Sequence, residues 1–360
     1  MSKKWKWLPN IGNAFLSRRY PVSLINFITQ RCNARCPHCF LDFSGKVDEL
    51  SAENIAKIAD TSGPCLRNIA LTGGEPFLRE DISDIVDAWL LNSTAQSMTI
   101  STNGSMPDRI EKLLQKATRH KKQLAFSFSY DLIGKAHSDY RKVKDLHLTV
   151  IESQKIVLKH PDTSVTFQIT LSPGNVDVAE EVYDHLIREV GAKSVGCIII
   201  RGENADSLPP EMRQKLADTY VRIQQRILHD SRSGTLEGLP SSKLTGALIN
   251  AKNKFVWQEI HDTFVSNRFI APCRAGSLFG IIYADGDVAP CETLPDRFGN
   301  LRDNGFDLMQ LWNSEKAEKI RKRIVDGKCR CTYECSWIVN IFSAPRYYPK
   351  LLVEAIRQNF

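Results

Sequence analysis

The chain has 360 residues, 42% of them hydrophobic and 25% charged, with 48 Lys and Arg against 41 Asp and Glu for a net charge of +7. That length suffices for one large α/β domain and a smaller one, each with its own core, and no apolar run reaches the ~18 residues of a membrane span. The charge is spread along the chain, so no nucleic-acid partner is expected, and the ten cysteines, eight of them in two clusters, suit a reducing, cytoplasmic setting and not a secreted disulfide framework.

The N-terminal arm, residues 1–22, interleaves Lys3, Lys4, Lys6, Arg18 and Arg19 with Trp5, Trp7, Leu8, Ile11, Phe15 and Leu16. Such an arm either lies on an anionic membrane surface or packs its aromatics on the domain; the second is expected, because large apolar side chains usually find a core. Ser17-Arg18-Arg19-Tyr20 lacks the long apolar stretch and small-residue cleavage site of a twin-arginine export signal. The β-prone run Ser23 to Thr29 then leads into Cys32-xxx-Cys36-xx-Cys39, three thiols in one short loop. Structural zinc wants four ligands, usually as paired CxxC knuckles. An iron-sulfur cubane has four irons, so three cysteines hold three corners and leave the last iron open to a ligand that is not protein.

Helix and strand alternate from there. Ser51 can cap a helix carrying Ile55 and Ile58, Asn68 to Thr72 reads as a strand, and Ile82, Ile85, Val86, Trp89 and Leu90 stripe the next helix. Met98 to Ser101 is a third strand, and Pro107 opens a helix with Ile110, Leu113 and Leu114. Gln123 to Tyr130, Val165 to Leu171 and Ser194 to Ile200 are further strands, each followed by an amphipathic helix. Six βα units with short connections imply parallel strands and right-handed crossovers, in a barrel or in a doubly wound sheet.

In barrels of this kind chemistry gathers at the C-terminal ends of the strands. Strand one leads to the cysteines, strand two to Gly73-Gly74-Glu75-Pro76, strand three to Ser101-Thr102-Asn103-Gly104, strand four to Asp131 and strand six to Arg201-Gly202-Glu203. Two adjacent glycines let backbone approach a ligand and offer carbonyls to an ammonium group, and Glu75 adds negative charge.

The CxxxCxxC loop, the GGEP segment and the six βα units together resemble the radical S-adenosylmethionine (SAM) superfamily. The resemblance implies a partial (β/α)6 TIM-like barrel over residues 23–205 and a 4Fe-4S cluster on Cys32, Cys36 and Cys39. In the family, SAM chelates the open iron through its amino and carboxylate groups, and an electron from the cluster breaks the sulfonium bond to give a 5'-deoxyadenosyl radical. It implies that Gly73, Gly74, Glu75 and Pro76 hold the amino group of SAM. Ser101 and Asn103 take its ribose and carboxylate, with capping of the next helix as their competing use. His38 stands where the family usually carries an aromatic residue, and imidazole can also lie flat against a purine.

Ser127 to Asp131, with His137, Asp139 and Arg141, resembles the strand-four pattern of members with cysteine-rich C-terminal extensions, with Leu132 in place of a usual glycine. The catalytic candidates are Asp131, Arg201, able to bind a carboxylate or phosphate bidentately, and Cys197, which would point into the barrel. Cys197 is open to two readings, a hydrogen-atom donor or a small buried hydrophobe. His137 is read as a structural or solvent-facing group before a base.

Residues 206–268 read as a charged, mostly helical connector, with a Ser/Gly-rich break at Ser231 to Ser242. From 269 to 360 come Cys273, Cys291, Cys329, Cys331 and Cys335; the first two flank a hairpin whose turn is Asp285-Gly286-Asp287. This small cysteine-rich hairpin and helical extension resembles the SPASM and twitch extensions of radical SAM enzymes, running on through Gly299-Asn300-Leu301-Arg302 and a helix with Leu308, Leu311 and Trp312. Fewer cysteines follow than in a full SPASM extension, so the resemblance implies one auxiliary 4Fe-4S cluster. By the family's final CxxxC its ligands are Cys273, Cys291, Cys331 and Cys335, with Cys329 as the spare or in place of one. A zinc site on the same cysteines is the competing reading. Full cysteine ligation would give the auxiliary cluster a role in electron transfer or support. The apolar tail, Trp337 to Phe342 and Tyr347 to Val353, is expected to dock a C-terminal helix on the barrel.

The expected function is therefore a radical SAM oxidoreductase or lyase that abstracts hydrogen from a small metabolite, sugar or lipid precursor, served by a flavodoxin- or ferredoxin-type reductant. The small-molecule preference rests on the 31 residues before Cys32, too few for an extra peptide-recognition domain of about 80 residues. A peptide-modifying maturase and a non-catalytic iron-sulfur binding or sensor protein are the alternatives.

Overall fold

The computed structural model describes residues 19–41, 45, 47–117, 123–237, 243–267, 269 and 272–357. Residues 1–18, which include nearly all of the basic and aromatic arm, lie outside the described residues.

In chain order the elements are β1 (Ser23–Thr29), α1 (Ala52–Asp60), β2 (Asn68–Gly73), α2 (Ile82–Asn92), β3 (Ser97–Thr102), α3 (Pro107–Ala117), β4 (Gln123–Ser129), α4 (Lys135–Arg141), α5 (Leu146–Leu158), β5 (Thr163–Leu171), α6 (Ala179–Arg188) and β6 (Val195–Ile199). They continue with α7 (Glu203–Asp206), α8 (Pro210–Ser233), α9 (Lys243–Ser266), β7 (Phe279–Ile282), β8 (Asp287–Ala289), β9 (Gly299–Asn300), α10 (Leu308–Trp312), α11 (Glu315–Asp326), α12 (Glu334–Phe342) and α13 (Tyr348–Arg357). The strand order is β6-β5-β4-β3-β2-β1-β7-β8-β9. The first six strands are parallel, each followed by helix, and the sheet does not close.

The chain divides into two compact units. The first comprises Met1–Phe128, Arg141–Val165 and Arg274–Ile324. Its parallel strands alternate buried and half-buried residues: Ile69, Leu71 and Gly73 on β2 and Met98, Ile100 and Thr102 on β3 are covered, while their neighbours are partly open. Helix propensity and capping agree with the packing. Ser51 and Asn54 close a reciprocal capping box at the start of α1, and α2 buries Ile82, Ile85, Val86, Trp89 and Leu90 as their spacing requires. The hairpin turns at Gly286, φ +97°, where Tyr283 N–H donates to Asp287 O at 2.9 Å. β7 pairs in parallel with β1, Ser23 opposite Phe279, so the hairpin continues the sheet beyond the strand that leads to the first cysteines.

The second unit comprises Ser129–Tyr140, Thr166–Cys273 and Val325–Phe360. β5 and β6 pair in parallel from Phe167 opposite Val195 to Leu171 opposite Ile199. α8 buries Leu216, Ala217, Tyr220 and Ile223 and stops at Gly234, whose left-handed backbone needs no Cβ. The C-terminal helix packs on α9: Ala355 meets Ala247 and Ala251, small residues that let the two axes approach. No helix among the described residues is long and apolar enough to cross a membrane.

Candidate active site and iron-sulfur ligands

β1 ends in a register slip between Phe27 and Thr29, and the cysteine loop follows at once. Cys32, Cys36 and Cys39 are half-buried, with Cys39 N–H turning back to Cys36 O at 3.1 Å. Ala34 N–H donates to Cys32 Sγ at 3.4 Å, and the Arg35 guanidinium holds the carbonyls of Cys32 and Ala34, both at 2.7 Å. Burial holds the Cys32 thiol above its ordinary value, opposed by the Ala34 N–H and reinforced by Glu75 and Cys39. Among the described residues no three His, Cys, Asp or Glu side chains close on a single ion. Three half-open thiols on one loop, one already accepting a backbone N–H, are the donor set a three-cornered cluster site requires. An open groove of about 530 Å³ lies against this loop, lined by Gln30, Arg31, Cys32, Arg35, Gly45, Val47 and Glu49.

The GGEP segment is zipped to the entry of that loop. Gly74 N–H donates to Thr29 O and Glu75 N–H to Arg31 O, both at 2.8 Å. A Cβ on Gly73 would stand 2.2 Å from Thr29 O, and one on Gly74 2.0 Å from Arg31 O, so neither position has room for a side chain. The glycines thus bring backbone against backbone. Pro76 is buried and opens a short 3-10 turn, Pro76–Leu78.

Glu75, expected to offer charge to SAM, is 1% exposed and committed to the protein. Its carboxylate accepts from Thr102 Oγ1 at 2.6 Å, Asn103 N–H at 2.8 Å and Phe77 N–H at 3.1 Å. Burial raises its pKa, and those three donors and Arg141 work against the rise. Asn103 spends its side chain as well: Nδ2 donates to Asn33 Oδ1 at 2.9 Å, inside the cysteine loop, and Oδ1 accepts Ser105 N–H at 2.9 Å ahead of α3. Asn33 in turn donates to Ser105 Oγ at 2.9 Å. Glu75, Thr102, Asn103 and Asn33 therefore tie together the ends of β1, β2 and β3. Ser101 lies on the half-open face of β3 and takes no part in this tie. His38 is half-buried.

Sequence reasoning missed Asn33, Glu49 and Arg79, and it named Thr102 at the end of strand three without giving it a role. Thr102 shares its face with Met98 and Ile100, and that alternation was the available signal. Arg79, 5% exposed, donates to Ile28 O and Leu50 O at 3.0 Å each and pairs with Asp81 at 2.6 Å and Glu49 at 3.3 Å. Glu49 also accepts from Thr29 Oγ1 at 2.5 Å and pairs with Arg31 at 3.0 Å, bracing the chain just before Cys32.

In the second unit Asp131 is a buried tie: its carboxylate accepts Thr170 N–H at 3.0 Å, its carbonyl accepts Asn175 Nδ2 at 3.2 Å, and its N–H donates to His137 Nδ1 at 3.2 Å. His137 is fully buried and stacked 4.6 Å from Tyr130, a structural and not a solvent-facing position. Cys197 does not face an open interior. It sits in register with Ile169 on the covered face between Val195 and Ile199, and burial pushes its thiol well above its ordinary value. Arg201 lies 4.6 Å over the Tyr333 ring. Glu334, which sequence reasoning also missed, accepts from Tyr220 Oη at 2.5 Å, and burial pushes its carboxyl up to about 7 against the pull of Tyr220, Arg201 and Lys252.

Cys273, Cys329 and Cys331 line one small cavity with Arg330, Ser336, Trp337 and Asn340. Trp337 Nε1 donates to Cys331 O at 2.8 Å, fixing the loop that carries that thiol. Cys329, expected as the spare, thus stands with two proposed ligands, while the side chain of Cys335 lies outside the described residues. Cys291 follows β8 in the first unit, 5% exposed, with Thr293 Oγ1 3.3 Å from its sulfur.

Comparison with known proteins agrees with this chemistry. Residues 26–186 match the Radical SAM superfamily and residues 273–336 match SPASM, an iron-sulfur cluster-binding domain. The AdoMet-dependent heme synthase of Methanosarcina barkeri is 24% identical over 328 residues, covering 85% of this chain and 87% of that protein. The subtilosin biosynthesis protein AlbA of Bacillus subtilis is 21% identical over 86% of this chain, which spans 65% of AlbA's length. Among solved structures, anSMEcpe with bound AdoMet superposes with a TM-score of 0.62 over 94% of this chain and 99% of its own, at 16% identity, a likeness of fold. The chain belongs to the radical SAM superfamily, as an enzyme of SAM and 4Fe-4S clusters with a SPASM iron-sulfur extension.

Proposed function

We propose that this enzyme is a peptide-modifying maturase, which takes a hydrogen atom from an unactivated C–H bond of an amino-acid residue within a peptide. The observation that carries the reading is one of size and fold. anSMEcpe, matched over 99% of its length, has also been solved with AdoMet and the Kp18Cys peptide, so an architecture of this extent accommodates a peptide without an added recognition domain. That removes the argument from the short N-terminal segment that favoured a metabolite. AlbA, a bacteriocin biosynthesis protein, points the same way. A small-molecule substrate is the second reading, and it is favoured by the heme synthase, which this chain matches over 87% of that protein's length.

Cys32, Cys36 and Cys39 would hold the SAM-binding cluster, and the GGEP backbone, Ser101, Asn103 and His38 would face SAM. Bound there, cluster and SAM supply the 5'-deoxyadenosyl radical that abstracts substrate hydrogen. The chain's own part is positional: the Glu75 tie fixes the ends of three strands around the cysteine loop, and the Glu49–Arg79 brace holds the entry of that loop. Cys273, Cys291, Cys331 and Cys335 are the proposed ligands of one auxiliary cluster.

The test is anaerobic turnover with reconstituted enzyme, SAM and dithionite, in the presence of a synthetic peptide library or of a deproteinised metabolite pool. A peptide that raises the yield of 5'-deoxyadenosine and changes in mass supports the maturase. Stimulation by the metabolite pool alone assigns the small-molecule reading.

A further inference from the structure

The small cavity that carries Cys273, Cys329 and Cys331 has on its wall a buried hydroxyl whose hydrogen no described residue accepts. That hydroxyl belongs to Ser336, 2% exposed, which lines the cavity beside Trp337, Asn340 and Arg330. Those three neighbours direct their donors at protein acceptors. Trp337 Nε1 is spent on Cys331 O at 2.8 Å, Asn340 Nδ2 on Ser336 Oγ at 3.3 Å, and the exposed Arg330 turns its Nε to Asn267 Oδ1 at 2.7 Å. Ser336 Oγ is thus already an acceptor, and the one proton it has to give points away from Asn340.

The helix offers that proton no outlet. Ser336 sits in the first turn of α12, where its N–H reaches Tyr333 O at 3.0 Å. A serine deeper in a helix can return its hydroxyl to the carbonyl four residues back, but the residue four back from Ser336 is Thr332, which precedes α12. Asn340, 4% exposed, stands one turn further along the same face, so the site is closed to bulk water on that side. A buried hydroxyl without an acceptor costs stability, and alanine would serve the helix better. Serine is explained by an acceptor on the cavity side, and that side is lined with sulfur. Cys273, Cys329 and Cys331 share the cavity, and Cys335, a proposed ligand, precedes Ser336 directly in the chain.

We infer that the Ser336 hydroxyl donates a hydrogen bond to a sulfur of the auxiliary cluster and thereby raises its reduction potential. The inference rests on the auxiliary 4Fe-4S assignment. A reduced cluster carries one more negative charge than an oxidised one, so a donor at its sulfur stabilises the reduced form more. The step tuned is the gain of one electron by the cluster, and the hydroxyl keeps its proton throughout.

The experiment is a potentiometric titration followed by EPR on the reconstituted Cys32→Ala/Cys36→Ala/Cys39→Ala protein, where the auxiliary signal stands by itself. Into this background go Ser336→Ala, Ser336→Thr and Ser343→Ala, the last removing a hydroxyl of the same helix end that is already spent on Asn340 O at 3.0 Å. All four proteins should hold about four irons per chain. Ser336→Ala should lower the reduction equilibrium constant roughly tenfold, ~59 mV towards negative potential for a one-electron couple. Threonine should restore most of the shift, and Ser343→Ala should leave the potential where it is. Four irons with a potential that Ser336→Ala does not move, or that Ser343→Ala moves equally, overturns the role of Ser336 and leaves the cluster assignment standing. A shift that threonine does not reverse assigns the effect to packing and overturns it too. A parent protein that takes up no iron, or zinc in its place, overturns the cluster assignment and this inference with it.

Discussion

A carboxylate buried as fully as that of Glu75 is tolerable only because each of its oxygens is occupied. Thr102 supplies one of the three donors, and Thr102→Val leaves an acceptor without its partner in a place water does not reach; the cost should be about 1–3 kcal/mol by urea denaturation, with Thr102→Ser nearly neutral. Equal stability of the valine variant and the wild type would show that the tie adds nothing. Lys252 makes a prediction of the opposite sign. Burial pulls its ammonium from 10.5 down to about 8, against the attraction of Glu334. Between those values the unfolded chain holds a proton that the folded chain has released, so stability rises with pH through that window. Lys252→Met should stabilise the protein at neutral pH by no more than about 3 kcal/mol, since Tyr220 and Arg201 still face Glu334, and should flatten the rise towards about pH 10. Melting curves across that range decide it: a rise that persists unchanged in the variant assigns it to another group.

At the scale of elements, the cluster loop is shaped by the strand beside it. Gly74→Ala places a methyl group 2.0 Å from Arg31 O, which must push the GGEP turn off the cysteine loop, whereas Gly45→Ala meets nothing within 4 Å. The first should lower the iron retained after reconstitution by about half, the share of one of two clusters, and the second should leave it unchanged. Full iron content in Gly74→Ala would mean that the loop does not depend on the turn. The elements themselves were legible in the chain. Six strands, the Ser51 cap, the Pro107 helix start and the Asp-Gly hairpin each carry a local signature, and the structure has all of them. The ties between elements were not. Glu49 and Arg79 are 30 positions apart, and Tyr220 and Glu334 are 114 apart, so nothing local marks either pair. Thr102 was hidden among three adjacent polar residues, and only the parity it shares with Met98 and Ile100 separates it from Ser101. The place of Cys197 was hidden for a related reason: alternation alone does not say which face of β6 is covered, and Cys197 lies on that face with Val195 and Ile199.

For the whole molecule, the two cysteine clusters set the iron content. Two 4Fe-4S clusters amount to about eight irons per chain, and zinc at the second site would leave about four with one zinc. The proposed ligand set predicts that Cys335→Ala loses about half the iron while Cys329→Ala keeps it. The position of Cys329 beside Cys273 and Cys331 makes that pair of variants a sharp comparison, since a loss in Cys329→Ala alone would exchange the two roles. The most direct test of the account as a whole is the formation of 5'-deoxyadenosine under anaerobic conditions from reconstituted enzyme, SAM and a strong reductant, beside the Cys32→Ala/Cys36→Ala/Cys39→Ala variant. The account predicts product from the wild type and none from the variant, with the auxiliary iron still bound in both. Product from neither protein, with SAM bound and the cluster reduced across the full peptide and metabolite screens, would contradict it and leave an iron-sulfur protein without radical chemistry.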